Sequence, residues 1–270
     1  MSTAVRHPAV AGQFYPGDRE QLLRDVRRYS AVPGAKLHAR GCVVPHAGYM
    51  YSGHVAGAVF GRLALPSRFI ILCPNHTGLG EPLAVMSQGT WLTPLGEAAI
   101  DTGLAESLKK ELPLLREDPL AHRSEHALEV QLPFLQELSP GFTFVPITVG
   151  TGQFEVLSAL GIVIAKVIAA SGSDVLVVAS SDMNHYESDD ETRVKDALAI
   201  EQMLALNPRG LYDTVKFEHI SMCGYGPAVA MLTAAQRLGA ASAELIKYAT
   251  SGDISGDRNA VVGYAGIVVL

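Results

Sequence analysis

The order of apolar segments along the chain is the feature that most constrains its fold. Short runs rich in β-branched residues alternate with longer stretches of helical composition. The predicted strands are Gly41–Val44, Phe69–Cys73, Phe142–Val149, Asp174–Ala179, Glu244–Ala249 and Ala260–Val269. The predicted helices are Gly53–Leu63, Thr102–Glu111, Ala127–Glu137, Phe154–Ala170, Asp190–Leu206 and Pro227–Leu238. This alternation predicts an α/β fold: a mainly parallel or mixed central sheet with helices on both faces.

The sequence predicts a single domain over residues 1–270, because no repeat, low-complexity tract or linker marks a boundary. The segment Leu83–Trp91 is expected to form an additional strand or hairpin. The segment Pro113–Ser124 has two prolines and no periodicity, and it is expected to be a surface loop. The apolar run Val156–Ala170 contains Lys166 and is shorter than a membrane span, so it is expected to be a core helix.

Charge and cysteine content exclude several classes of function. The formal net charge of −6 argues against a nucleic-acid groove or an anionic membrane surface as partner. Three widely spaced cysteines do not form a disulfide framework or a zinc-binding CxxC pair. The N-terminal sequence contains no apolar stretch of signal-peptide length. These features favour a cytoplasmic protein.

Polar side chains follow three of the predicted strands. His46 follows the first strand, His76 follows the second, and Asp182 and His185 follow Asp174–Ala179. Ligands of open α/β sheets gather at the carboxyl ends of the strands, so these side chains are expected to lie close together. Cys223 precedes a predicted helix, whose N-terminus is expected to lower the pKa of its thiol.

Each of these residues also has a simpler interpretation. A lone histidine in a loop is usually a hydrogen-bonded surface group, and a lone cysteine is usually a small buried hydrophobe. Cys42 and Cys73, inside apolar strands, are expected to be core residues of that kind. Three histidines at equivalent strand ends, however, favour a functional site.

The segment from Ser124 to Glu129 is a fifth candidate. Ser124 could cap a helix, and His126 and Glu129 would share a face at i,i+3 spacing. A solvated first helical turn is the alternative. The other five histidines show no comparable placement.

Several common motifs are absent from the sequence. It contains no GxxxxGK[ST], no GxGxxG after the first strand and no GxSxG. Nucleoside triphosphate hydrolysis, Rossmann cofactor binding and α/β-hydrolase chemistry are therefore disfavoured.

Several motifs in order carry a resemblance that runs nearly end to end. They are RHPAVAGQFYP from Arg6, PHAGY from Pro45 with Tyr51-Ser52-Gly53, PNH from Pro74, TPLG from Thr93, EHALEVQLPFL from Glu125, Ser180-Ser181-Asp182 with His185, and MCG from Met222. The chain resembles the Memo family, including the prokaryotic AmmeMemoRadiSam system protein B. That family is similar in fold to the class III extradiol (LigB-type) dioxygenases, which implies a three-layer α/β/α architecture.

The resemblance implies a metal site formed by His46, His76 and Cys223, with Asp182 and His185 beside it. The ring-cleaving relatives bind iron with two histidines and a carboxylate, and Cys223 stands in the place of the carboxylate. Fe(II) is the expected metal, with Cu or Zn as alternatives because a thiolate is a soft ligand.

The resemblance also implies roles for other residues. His185 resembles the acid/base histidine of the relatives, and His126 resembles a histidine that faces substrate or supports the metal. Phe14, Tyr15 and Tyr51 are expected to line the substrate pocket.

Two main functions follow from this. The first is a non-haem metal-dependent oxidoreductase, dioxygenase-like, acting on a small aromatic or heterocyclic substrate. In it His185 would move a proton while Asp182 fixes its tautomer. The second is a non-catalytic metal-binding or signalling protein that retains the fold. The family name also implies association with a radical-SAM protein and a further protein of the same system.

Two further readings concern Cys223. It could be a nucleophile activated by His185, which would leave His46 and His76 without a role. It could also belong to an electron-transfer copper site, but Met222 would point away from such a site if the segment is extended.

Overall fold

A mixed sheet of twelve strands runs through the computed structural model, which describes residues 4–270. The strands are β1 (Val5–Arg6), β2 (Gly41–Val44), β3 (Arg68–Pro74), β4 (Leu83–Val85), β5 (Thr90–Thr93), β6 (Gly96–Ile100), β7 (Arg116–Glu117), β8 (Thr143–Val149), β9 (Leu176–Ser180), β10 (His185–Glu187), β11 (Ala243–Thr250) and β12 (Val261–Val269). The helices are α1 (Arg19–Ser30), α2 (Tyr49–Arg62), α3 (Thr102–Glu111), α4 (Leu120–Arg123), α5 (Leu132–Leu138), α6 (Phe154–Ser171), α7 (Asp189–Leu204), α8 (Pro208–Phe217), α9 (Tyr225–Arg237) and α10 (Gly252–Ser255).

The centre of the sheet is parallel. The order is β1-β5-β6-β8-β3-β9-β2-β12-β10, and the five strands from β6 to β2 all pair in parallel. The strand β12 pairs antiparallel with β2, β10 and β11. The predicted α/β fold with a mixed central sheet is therefore confirmed. The carboxyl ends of β3, β9 and β2 lie side by side at one edge.

Two apolar layers cover the faces of the sheet. On β3, Ile70 and Leu72 pack into one layer with helices α3, α6, α7, α8 and α9. The alternate residues Phe69 and Ile71 pack into the other layer with α1, α2 and α5. Successive side chains of a strand point to opposite faces, so a continuous apolar strand requires helices on both sides. The result is the three-layer α/β/α arrangement.

Polar side chains define where several helices begin. Asp18, Asp101, Ser188 and Asn207 each accept a hydrogen bond from a main-chain N–H in the first turn of α1, α3, α7 and α8. These contacts satisfy donors that the helix itself leaves unpaired.

Some sequence-based expectations were wrong. The segment Pro113–Ser124 is not a surface loop throughout: it contains β7 and α4, and His122 within it is fully buried. Ala127–Glu137 is not one helix, because a 3₁₀ turn at Glu129–Gln131 precedes α5. The segment Leu83–Trp91 does supply additional strands, β4 and the start of β5.

Helix α6 has the length and apolar composition of a membrane span. In the fold, however, Leu157, Leu160 and Ile164 are buried in the apolar layer that it shares with α9. It is a core helix, as the sequence predicted.

Candidate metal centre

The candidate site lies at the carboxyl ends of three adjacent parallel strands. His46 follows β2, His76 follows β3, and Asp182 follows β9. Two loops complete it, because Cys223 precedes α9 and His126 precedes the 3₁₀ turn. The ring centroids of His46 and His76 are 5.1 Å apart. The residues that follow these strands therefore lie close together at one edge of the sheet, as the strand-end rule predicted.

A hydrogen-bond network fixes the tautomer of His46. The Ser180 hydroxyl donates to the carbonyl oxygen of Ala127 over 2.6 Å, and Gln131 Nε2 donates to Ser180 Oγ over 3.0 Å. His46 Nδ1 lies 3.0 Å from the same Oγ. Since the hydroxyl proton is already committed, Nδ1 must carry the hydrogen of that contact. The lone pair of His46 is then on Nε2, which lies 3.2 Å from Cys223 Sγ.

Glu125 orients the second imidazole. Its carboxylate accepts the main-chain N–H of His76 over 2.6 Å and lies 2.9 Å from His76 Nδ1. The oxygen that contacts His76 Nδ1, Oε1, also accepts the N–H of Ala127 and lies 3.4 Å from His126 Nδ1. A carboxylate that holds the outer nitrogen of an imidazole is a common support for a metal ligand.

Cys223 reaches the site because its loop passes close to the end of β9. The main-chain N–H of Asp182 donates to Cys223 Sγ over 3.3 Å, and the N–H of Gly224 donates to Ser181 Oγ over 3.0 Å. A Cβ atom on Gly224 would collide with the carbonyl oxygen of Ser180. Glycine at this position therefore permits the close approach.

His185 lies beside His46 and Cys223, and two contacts with Ser221 hold it there. Its Nδ1 is 3.0 Å from the carbonyl oxygen of Ser221, and its N–H donates to Ser221 Oγ over 2.7 Å. A carbonyl only accepts, so Nδ1 carries the proton and Nε2 carries the lone pair. Ser221, not Asp182, fixes this tautomer, which corrects the sequence-based expectation. The Asp182 carboxylate instead accepts the main-chain N–H groups of His46 and Ala47.

Burial dominates the electrostatics of the site. It lowers the pKa of His46 well below its usual value and raises the pKa of Asp182 to about 7. For His76 burial acts in the same direction as for His46, but the hydrogen bond and charge of Glu125 outweigh it and raise the pKa. Burial also raises the pKa of the Cys223 thiol, so the expected lowering by the helix N-terminus was wrong. A thiol of this kind does not have the lowered pKa of a hydrolase nucleophile.

The donor set fits a transition metal. One donor atom from each of His46, His76 and Cys223 lies within 4.8 Å of the other two. Imidazole nitrogen with a thiolate suits iron, copper or zinc. A second set that meets the same distance, His76, Glu125 and His126, is accounted for by the hydrogen bonds of Glu125. Met222 is buried in the apolar layer with α9.

The three residues predicted to line a substrate pocket have different surroundings. Phe14 lies 4.6 Å from His126, ring centre to ring centre. Tyr51 is half-buried and packs against the small cluster formed by Val55, Ala249 and Tyr264. Tyr15 is buried, and its hydroxyl donates to Glu129 over 2.6 Å, so it is held as a core residue.

Sequence reasoning overlooked the supporting residues. Glu125 was visible as an acidic residue next to His126, but its contact with His76 crosses 49 positions of sequence. Glu129 does not share a helical face with His126 and instead pairs with Arg6. The roles of Ser180 and Gln131 depend on hydrogen bonds that no local pattern indicates.

Comparison with known proteins finds relatives that match along nearly the whole chain. Residues 6–268 match the Memo-like protein family. The chain is 43% identical to a MEMO1 family protein of Methanosarcina mazei over 267 residues, covering 98% of this chain and 99% of the relative. It is 45% identical to a MEMO1 family protein of Archaeoglobus fulgidus over 264 residues, with the same coverage of each.

A solved structure shows the same fold. The uncharacterized protein JW3007 from Escherichia coli K12 superimposes with a TM-score of 0.57 at 12% sequence identity. The match covers 84% of this chain and 98% of that one. The family match over nearly the whole length and the two archaeal relatives show that the chain belongs to the Memo family.

Proposed function

We propose that this protein is a metal-dependent oxidoreductase of the dioxygenase-like kind that acts on a small aromatic substrate. The convergence of His46, His76 and Cys223 within 4.8 Å supports this most directly. Fe(II) is the metal proposed, with Cu or Zn as alternatives. Fe(II) bound there would supply the redox chemistry and an open coordination position.

The histidines beside the donor set suit proton transfer to and from a substrate hydroxyl. His185 has a lone pair on Nε2, because Nδ1–H is donated to the carbonyl of Ser221. Burial lowers the pKa of His185, which keeps the ring neutral and able to accept a proton. His126 lies under Phe14 and stacks on His76 with ring centres 4.8 Å apart, so it can orient a flat ligand.

Oxygen uptake tests this proposal. The protein would be loaded with Fe(II) without oxygen and then mixed with oxygenated buffer and a panel of catechols and enols. Substrate-dependent uptake is expected for the unchanged chain. His185→Ala should keep its metal but lose about 10²–10⁴ in rate, the usual contribution of a positioned acid or base.

His38→Ala is the matched control, since His38 precedes the amino end of β2, opposite the site. It should retain full activity. Unchanged turnover in His185→Ala would contradict the role assigned to that residue.

A non-catalytic metal-binding protein is the second candidate, and the thiol favours it. Cys223 stands where the resemblance places a carboxylate ligand, and a soft thiolate changes both the preferred metal and its reactivity. Metal binding without oxygen uptake for any compound of the panel would support this candidate over the first.

The cellular setting is also a proposal. Cys42, Cys73 and Cys223 are free thiols, which suits the reducing cytoplasm. The family resemblance supports association with a radical-SAM protein and a further protein of the same system.

A further inference from the structure

We propose that the buried pair Arg6 and Glu129 positions the metal centre. Arg6 acts through the loop that carries Glu125 and His126, and Glu129 acts through the turn that carries Phe14, which packs on His126. This inference rests on the proposed metal site and assigns it a support from the N-terminal segment. Neither residue contacts the donor atoms, so both are positioning residues.

The first set of contacts joins Arg6 to the loop that carries Glu125. Its Nη2 donates to the carbonyl oxygen of Glu125 over 2.7 Å, and its Nε donates to that of His122 over 3.1 Å. The guanidinium lies over the Trp91 ring, 4.2 Å from its centre. Arg6 thereby fixes the main chain of Glu125, whose carboxylate holds both the N–H and Nδ1 of His76.

The second set of contacts joins Glu129 to the turn over the site. Its carboxylate pairs with Arg6 and accepts the N–H groups of Ala9 and Val10, over 2.8 and 3.1 Å, together with the Tyr15 hydroxyl. Four donors therefore hold one fully buried carboxylate. The turn that they fix carries Phe14, whose ring packs on His126.

Fold stability alone is a weak explanation for this arrangement. Removing two charges from water costs free energy that a buried ion pair often fails to recover, and well-packed apolar residues of similar size often stabilise a core at least as well. The planar, five-donor guanidinium matches two carbonyls and a carboxylate at fixed angles, which suits precise placement of a loop. The pair is therefore better explained by the geometry that it imposes on Glu125 and His126.

Binding of Co(II) alone tests the inference without any substrate. Arg6→Lys keeps the charge beside Glu129 but loses the directed contacts to the loop carbonyls. Its Co(II) affinity should fall about tenfold or more, as is usual when the support of a metal ligand is lost. The visible absorption of bound Co(II) should also change, because the ligand geometry changes. Tyr15→Phe, which deletes only one hydroxyl from the carboxylate, should show a smaller change in the same direction.

Asp101→Asn is the matched control. The Asp101 carboxylate accepts a hydrogen bond from Arg68 Nε over 2.6 Å at the amino end of β3, opposite the site. Loss of this ion pair should lower stability without altering Co(II) binding. Thermal unfolding would show how far each variant is destabilised. Folded Arg6→Lys and Tyr15→Phe with wild-type affinity and spectrum would overturn the inference. Absence of Co(II) binding by the unchanged protein would instead overturn the proposed metal site.

Discussion

At the scale of single residues, the hydrogen bonds around each imidazole determine what it can do. Ser180 occupies Nδ1 of His46, Glu125 occupies that of His76, and the carbonyl of Ser221 occupies that of His185. In each case Nδ1 has a hydrogen-bond partner. For His46 and His185 these contacts leave the lone pair on Nε2. The sequence shows the histidines, but it does not show which nitrogen is free.

Tyr186 is the residue next to His185, and its backbone is strained. Its φ of 62° is left-handed, and it is the unpaired residue where the register of β10 against β12 shifts. Such a bulge aims the neighbouring side chain, here His185. The Tyr186 side chain is 78% exposed, so little packing offsets the strain.

Tyr186→Gly should therefore raise the free energy of unfolding, by up to about 1 kcal/mol, since glycine adopts a positive φ without steric cost. Urea unfolding of the metal-free protein would measure it. Phe217→Gly is the control, because Phe217 is 81% exposed but ends α8. That change should lower stability, by up to about 1 kcal/mol. A loss of equal size in both variants would contradict the assignment of strain to Tyr186.

At the scale of elements, the segments that the sequence predicted best are those with a continuous apolar pattern. The central strands β2, β3, β8 and β9 are fully or almost fully buried, so composition alone indicated them. Helices α1 and α8 escaped prediction because each buries only two side chains. The 3₁₀ turn before α5 also escaped, because it forms where Glu129 meets Arg6, and such a contact leaves no local signal.

The packing of α6 on α9 requires a glycine. A Cβ on Gly161 would collide with the carbonyl oxygen of Ala230 and lie 2.6 Å from the Cβ of Thr233. Gly161→Ala should destabilise the protein by about 1–3 kcal/mol, the usual cost of overpacking a core.

Gly103→Ala is the corresponding control within a helix. Gly103 lies in α3, and the nearest atom to an added Cβ is 3.9 Å away. This variant should be stabilised by up to about 1 kcal/mol through helix propensity. Denaturation midpoints would compare the two, and a neutral Gly161→Ala would contradict the close helix contact.

At the scale of the whole molecule, the site combines segments that are distant in sequence. The parallel strands β2, β3 and β9 deliver His46, His76 and Asp182 to one edge, and this part was predictable from the strand-end rule. The supports come from elsewhere, including Arg6 near the start of the described chain. Their contacts with Glu125 and Glu129 cross more than 100 positions, so only the folded chain reveals them.

Metal content tests the central claim most directly. Protein purified without oxygen would be analysed for iron, copper and zinc, alongside His46→Ala, Cys223→Ala and the remote control His38→Ala. We expect about one metal ion per chain in the unchanged protein and in His38→Ala, and a large loss in the two site variants, since each removes a proposed ligand. Full occupancy in both His46→Ala and Cys223→Ala would contradict the proposed metal centre.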